Sequence, residues 1–359
     1  MQVNHPCLRT SRRALLKGAG AFAAGLTFLP RLSLSDEEKK LNFYNWDTYI
    51  GETTLPDFTA ATGIAVKLDL YADNDELFAK LKGGNPGYDV VLPTNDAVER
   101  MIKAGMLEPL DHAKIPNFAN VSKRFQDAPF DPGRKYSMPY MWGTVGIGYR
   151  KSAVSAAPDS WKVLLDSDEY AGRIALLGDQ STVLGAGLKY LGFSWNSANP
   201  DELKHVEDLL IRQKKNVKVF APDNGQDLLA AGEVKLCEEW NGDIKQIMSE
   251  DDDIGYAIPK EGSLLWQDGL CIPTGAPHPG NAHAFINFIL DAKAGKEIAE
   301  TIQYATANDA ARALMPDDYR NNPVIFPDEA SLANCEMGVY LGEEAVKLRD
   351  QAWTRIQAA

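Results

Sequence analysis

The chain is poor in the residues that most catalysis and cross-linking require. Only four cysteines occur in 359 residues and none forms a CxxC pair, which leaves no ligand set for a zinc ribbon or a dithiol redox centre. The five histidines, at 5, 112, 205, 278 and 283, fall into neither HxH nor HExxH spacing, so the usual zinc-hydrolase pattern is missing. There is no GxSxG elbow and no GxxxxGK phosphate loop, which removes the common nucleophile and nucleotide signatures. Gly185-Ala186-Gly187 lacks the third glycine of a dinucleotide loop and reads as small residues packed inside a helix. No two tyrosines are adjacent, which counts against a paired-tyrosine iron site. We therefore expect no catalytic constellation, no cofactor and no metal.

Long apolar runs and positive charge are also scarce. Gly18 to Pro30 is the one uncharged, mostly apolar stretch of note; a membrane span needs roughly 20 residues, and this length suits a signal-peptide core instead. Residues 1–35 hold Arg9, Arg12, Arg13, Lys17 and Arg31 and no acid, and Ser11 to Lys17 is similar to a twin-arginine export signal. The plainer alternative is the basic start of an ordinary secretory signal. Ser33-Leu34-Ser35 places cleavage near Asp36. The whole chain has 37 Lys and Arg against 50 Asp and Glu, so residues 36–359 keep 32 against 50, a formal charge of −18. Such a surface repels nucleic acid and anionic headgroups and attracts cations. A twin-arginine substrate folds in a reducing compartment, so Cys237, Cys271 and Cys335 are expected as buried thiols.

What is present is an α/β rhythm. Ile64 to Leu70 has apolar residues at every second position, a half-buried strand. Helical patterns flank it at Leu55, Phe58 and Ala61, ending on Gly63, and at Leu77, Phe78 and Leu81. Tyr88 to Leu92 is a short buried strand, and a third helix follows Asp96 and ends at Gly105. This order argues for a mostly parallel sheet. Pro139 to Gly148, with glycines among β-branched residues, suits an extended crossing between domains. A second set follows, with strands at Arg173–Leu177, Val217–Phe220, Val234–Cys237 and Leu264–Ile272. Its helices are Thr182–Leu191, Asp201–Lys214, Gln226–Ala231, the long stretch Asn281–Ile302 and Glu343–Ile356. Some 324 residues at this apolar content can build two domains with proper cores.

Tryptophan is the informative residue. Trp46-Asp47, Trp240-Asn241-Gly242-Asp243 and Trp266-Gln267-Asp268 each place an indole beside an aspartate at a predicted strand end, where open α/β sheets bind ligands. Carboxylates hold ammonium groups, and aromatic faces flank both the charge and the methylenes of a linear cation. Taken singly, each tryptophan also fits a core position, and each aspartate a helix cap or turn. Trp142, Trp161, Trp195 and Trp353 have no such partner and read as structural.

Leu41 to Ile50, LNFYNWDTYI, closely resembles the first strand of the periplasmic spermidine/putrescine-binding proteins of ABC importers. The likeness runs in order through Thr62-Gly63-Ile64, Tyr88 to Pro93, Met138 to Gly143, Trp240 to Asp243, Ile258 to Gly262, Trp266 to Asp268, Ala299 to Asn308 and Ala352 to Arg355. The resemblance implies an α/β, two-lobed type II periplasmic binding fold with a hinged ligand cleft. The implied lobes are residues 36–143 with 268–313 and residues 144–267 with 314–359. It implies a monomeric periplasmic receptor that captures a polyamine and passes it to the permease subunits of an inner-membrane ABC importer, without covalent chemistry. By position it assigns Trp46, Tyr49, Trp240, Trp266 and Tyr304 as cleft aromatics. Asp268 and Asp243 become the ammonium-binding acids and Asp179 an acid of the second lobe. Asp47 replaces a neutral hydroxyl residue of the family. Asp96 stands where the family has tyrosine or serine, and Thr182 where it has glutamate. This rearrangement favours putrescine over spermidine, with agmatine as an alternative ligand. A secreted hydrolase is the alternative of another class.

Overall fold

The computed structural model describes residues 37–359; the export signal and its cleavage point lie outside the described residues. Among the described residues there are eleven strands: β1 (Lys40–Trp46), β2 (Ala65–Tyr71), β3 (Val90–Val91), β4 (Ser137–Arg150), β5 (Ile174–Leu177), β6 (Val217–Ala221), β7 (Leu236–Trp240), β8 (Ile254–Ala257), β9 (Leu264–Cys271), β10 (Ala305–Thr306) and β11 (Glu336–Met337). They join in the order β2-β1-β3-β9-β4-β7-β5-β6, with β8 and β10 on β4 and β11 on β9.

The two ends of this sheet are parallel, as the rhythm of the sequence predicts. β1 pairs in parallel with β2 and β3 through the helices Thr54–Thr62 and Asn74–Lys82, and β5 pairs in parallel with β6 and β7. The middle differs from the expected mostly parallel sheet. β4 and β9 run antiparallel to each other, β9 also to β3 and β4 also to β7, while β11 pairs with β9 in parallel, so the sheet is mixed. One long strand links the two parallel sets: Ser137 to Thr144 of β4 pairs with β9, and Val145 to Arg150 pairs with β7 and β8. The glycines of this crossing serve close approach. A Cβ on Gly143 would lie 2.2 Å from the Asn241 side chain and 2.6 Å from the Trp266 ring.

Each parallel end has a core facing its helices. Phe43 of β1 packs against Phe285 with ring centres 5.1 Å apart, and Phe58 meets the same ring at 5.1 Å. All three are fully buried, and burying a side chain of this size contributes roughly 1.5–3 kcal/mol. Gly63 ends the first helix in the left-handed conformation at φ +74°, where glycine avoids the Cβ clash. Arg134 is buried without an acid in contact; its Nε donates to the Phe125 carbonyl and an Nη to Gln267, both at 2.8 Å, which ties the irregular segment after the helix Asn95–Lys103 to β9.

Three expectations need correction. The stretch Asn281–Ile302 is two helices, Pro279–Ile289 and Ala292–Ile302, because the Asp291 carboxylate accepts the N–H groups of Lys293 and Ala294 and starts a new helix. The strand placed at Val234–Cys237 runs instead over Leu236–Trp240 and includes two glutamates. On β2, an edge strand, Leu70 stays 48% exposed despite the alternating pattern. Cys237 and Cys271 are buried thiols as expected, whereas Cys335 is half-buried.

Candidate functional site

Most of the functional residues sit where strands stop, whereas Trp266 and Asp268, expected at a strand end, lie inside β9. β1 ends at Trp46, and the turn after it delivers Tyr49. β7 ends at Trp240, after which the helix Asn241–Met248 carries Asp243 in its first turn. The turn after β5 places Asp179 as the cap of the helix Gln180–Tyr190, and the turn after β3 places Asp96 in the first turn of the helix Asn95–Lys103. Trp266 and Asp268 are two residues apart on β9 and so share one face. Tyr304 lies between the helix Ala292–Ile302 and β10.

These residues form one connected set. Tyr49 donates its hydroxyl to Asp268 Oδ2 at 2.8 Å. Its ring stands edge-on to Tyr304 at 5.7 Å, Tyr304 edge-on to Trp266 at 5.2 Å, and Trp266 edge-on to Trp240 at 5.9 Å. The Asp243 carboxylate lies beside Tyr304 and acts on its hydroxyl, and the Tyr304 ring lies over Gly242, where any Cβ would come within 2.4 Å. Trp46 is placed beside the row by an indole N–H bond to the Leu92 carbonyl at 2.8 Å and by Tyr71 at 4.6 Å. Tyr71, in turn, is within the electrostatic reach of Asp268. Asp96 acts on both Asp268 and Asp179. Asp47 is exposed; its Oδ1 accepts the Thr48 N–H at 2.8 Å, and its charge reaches Asp223. Direct contacts thus join Tyr49, Asp268, Tyr304, Trp266 and Trp240, while Asp47, Asp96, Asp179 and Asp243 are linked to this group by charge and Trp46 through Tyr71.

Some of these groups also have local tasks. Asp179 Oδ1 accepts the Thr182 N–H at 2.8 Å as a helix cap, and Thr182 returns its hydroxyl to the Asp179 carbonyl. Thr94 donates to Asp96 Oδ1 at 2.8 Å. Trp142 and Trp161 are buried, with indole N–H bonds to the carbonyls of Thr306 and Gly262.

The sequence reading missed three acids at the site. Glu238 and Glu239 precede Trp240 on β7 and are almost fully buried, and Asp223 stands on the exposed loop after β6. One oxygen from each of Asp223, Glu239 and Asp243 lies within 4.8 Å of the other two. Two adjacent acids inside an otherwise apolar strand were the available signal, because buried carboxylates are rare without a task.

The electrostatics are one-sided. Among the described residues, none of Asp47, Asp96, Asp179, Asp223, Glu238, Glu239, Asp243 and Asp268 has a Lys, Arg or His within ion-pair distance. Arg349, buried on the helix Glu343–Ala358, reaches only Asp96 and Asp179, and at longer range. Burial therefore acts almost unopposed and favours the neutral acids. It pushes Asp268 up to about 8 against the Tyr49 hydrogen bond, and Glu238 up to about 8. Asp243 is pushed up to about 7 by burial, with Asp223 adding like charge. Burial raises Glu239 well above the carboxylate range, with Asp243 next in effect. Asp179 meets solvent, yet the surrounding protein raises it, and Asp96 adds to this. Oδ1 of Asp268, Oε1 of Glu238 and Oε2 of Glu239 are buried without a donor. An arrangement of unpaired acids and aromatic faces is built to receive a cation.

Comparison with known proteins places this arrangement. The sequence model of the bacterial extracellular solute-binding protein family matches residues 54–327. The chain belongs to that family. Its members are solute receptors of transport systems, not enzymes. The spermidine/putrescine-binding periplasmic protein of Escherichia coli is 36% identical over 327 residues, covering 89% of this chain and 91% of the relative. The putrescine-binding periplasmic protein SpuD of Pseudomonas aeruginosa is 34% identical over 340 residues, covering 90% and 93%. A solved structure from Listeria monocytogenes is alike at a TM-score of 0.85 and 34% identity, covering 89% of this chain and 99% of that one. The spermidine/putrescine substrate-binding protein PotD of Streptococcus pneumoniae follows at 0.79 and 31%. The fold is the two-lobed periplasmic binding fold.

Proposed function

We propose that the protein is a periplasmic receptor for a polyamine, with putrescine favoured over spermidine, which it passes to the permease subunits of an ABC importer as a monomer. The observation that carries this reading is the row of aromatic rings with unpaired acids at both ends, Asp268 at one and Asp243 at the other. An ammonium group bound to a desolvated carboxylate forms a hydrogen bond about twice as strong as a neutral one. Rings flanking the methylenes add roughly 0.5–2 kcal/mol where a cation lies over a face. Asp268 Oδ1 and the Asp243 carboxylate would take the two ammonium ends, while Trp46, Tyr49, Trp240, Trp266 and Tyr304 line the path between them. Asp96 and Asp179 assist from the side, and Asp47 adds charge at the rim. The names of the relatives support the polyamine class. Thr182, whose hydroxyl serves the Asp179 carbonyl rather than offering an acid, supports a short diamine. Lobes of 36–143 with 268–313 and 144–267 with 314–359 would close on it, after export through a cleaved twin-arginine signal.

Thermal unfolding with putrescine, cadaverine, spermidine, spermine and agmatine tests the reading. A ligand at 100 times its dissociation constant stabilises the fold by about 2.7 kcal/mol, a shift of several degrees. Putrescine is expected to give the largest shift at equal concentration. A larger shift with spermidine would overturn the preference for putrescine, one with agmatine would favour a guanidinium ligand, and none with any amine would overturn the receptor reading.

A further inference from the structure

We propose that the ligand's ammonium end farther from Asp268 is held by three carboxylates, Asp223, Glu239 and Asp243, so that Glu239 and Asp223 contact ligand alongside Asp243. This rests on the receptor reading above and adds two residues, Asp223 and Glu239, that no motif in the sequence indicated.

The geometry fits a primary ammonium. Such a group has three N–H donors in tetrahedral directions, and acceptors at charge-assisted hydrogen-bond distance from its nitrogen then stand about 4.7 Å from one another. The three acids present one oxygen each within 4.8 Å of the others. Three neighbouring carboxylates would by themselves be an acidic cluster of no consequence. Glu239 makes this one different. Its side chain is fully buried, Oε1 accepts the Trp240 backbone N–H at 3.0 Å, and Oε2 has no donor among the described residues. A buried carboxylate oxygen without a partner is costly, and the fold makes room for it. A Cβ on Gly225 would lie 2.5 Å from this oxygen, so only glycine leaves the space. Nearby, Gln226 donates toward the Asp223 carbonyl at 3.5 Å while its own Oε1 is buried without a donor. The unmet groups here are acceptors, and the group that meets them is a donor-rich cation.

Aromatic residues border the acids: Trp240 lies beside Asp223, and Tyr304 beside Asp243. Asp223 adopts φ +54°, a left-handed conformation that aspartate tolerates better than most residues. The Trp240 ring closes one wall, so the ammonium would sit between an indole and three acids.

Titration calorimetry with putrescine on the exported chain tests this. Glu239→Gln keeps the shape of the side chain and removes its charge; it should weaken putrescine binding at least tenfold while leaving the ligand-free melting temperature equal or higher. Asp223→Asn, on the exposed loop, should weaken binding three- to tenfold and carries the test if Glu239→Gln does not fold. Unchanged putrescine affinity in either folded variant overturns the three-acid pocket. Calcium tests a metal in its place: stabilisation by calcium that Glu239→Gln abolishes, with putrescine affinity indifferent to calcium, would also overturn it. Asp268→Asn separates the two readings. If it abolishes putrescine binding while Glu239→Gln leaves the affinity unchanged, only the pocket fails; if the unsubstituted chain binds no amine, the receptor reading itself fails.

Discussion

The two ends of the aromatic row are built on opposite plans. At one end Asp268 stands alone on β9, with one oxygen fixed by Tyr49 at 2.8 Å and the other without a donor. At the other, Asp243 shares its surroundings with Asp223 and Glu239, which also repel one another. A single fixed acid defines position, because the ammonium has one place to go. A cluster defines charge, because several acceptors compensate for one another and all of them benefit when a cation arrives. On the proposed reading, the receptor has an anchoring end and a tolerant end. Such asymmetry suits a site that must measure the length of a flexible chain.

The largest expected contrast comes from neutralising each end in turn. Asp268→Asn should cost at least a hundredfold in putrescine affinity, since truncating one partner of a buried charge pair costs on the order of 2–5 kcal/mol. Asp243→Asn should cost only about tenfold, because Glu239 and Asp223 remain to accept the ammonium. Calorimetry on the two variants decides the matter; equal losses would end the distinction between the ends. The ligand-free melting temperature of both should stay level or rise, because each substitution relieves an uncompensated buried acid. A variant that unfolds at room temperature would make the residue structural instead.

The next effect is on pH and has opposite signs with and without ligand. The folded-state pKa values of Asp268 and Asp243 lie at about 8 and about 7, above ordinary aspartate, mainly through burial. Between pH 4 and these values the unfolded chain has lost protons that the folded chain retains, so ligand-free stability falls as pH rises through this window. The ligand's ammonium, however, needs the ionised acids, and binding must expel their protons. Putrescine affinity should therefore climb at least tenfold from pH 6 to 8, while the ligand-free melting temperature falls by several degrees. Calorimetry in buffers of different ionisation enthalpy would register the released protons. An affinity flat across this range would show the acids already ionised in the free protein.

Much of the architecture was legible in sequence because its signals are local. Alternation in β2, glycine after the helix Thr54–Thr62 and tryptophan beside aspartate at strand ends all report on a few neighbouring residues. The errors arose where tertiary structure overrides local pattern. Glu238 and Glu239 ended the predicted strand at Cys237, since charged residues interrupt a buried run, yet β7 continues through them to Trp240. That misplaced boundary concealed the most deeply buried acids of the site. Asp291 falls inside an apolar helical repeat and reads as one polar residue on a face, until its carboxylate is seen capping a second helix. The collinear family motifs hold eight of the ten residues singled out, and Asp96 and Asp179 come from aligned positions between them. Asp223 and Glu239 lie outside them, and three-dimensional proximity alone brings them to Asp243.

The smallest effect examines how the anchoring end is fixed. Tyr49 holds Asp268 Oδ2 through its hydroxyl, while the Tyr49 ring is itself braced edge-on by Tyr140 at 5.4 Å and Tyr304 at 5.7 Å. Tyr49→Phe keeps that packing and removes only the donor. The ionised form of Asp268 then loses a stabilising hydrogen bond, so its pKa should move further upward. Putrescine binding near pH 7 should weaken about three- to tenfold, in line with a net hydrogen bond to a charged group of roughly 1.5 kcal/mol or less once ligand compensates. The pH profile carries the distinguishing information: if Tyr49 acts through Asp268, the loss shrinks as pH rises past 8 and the acid ionises regardless. A loss independent of pH would mean that the hydroxyl serves the ligand directly or the shape of the cleft, and that Asp268 is positioned by β9 alone.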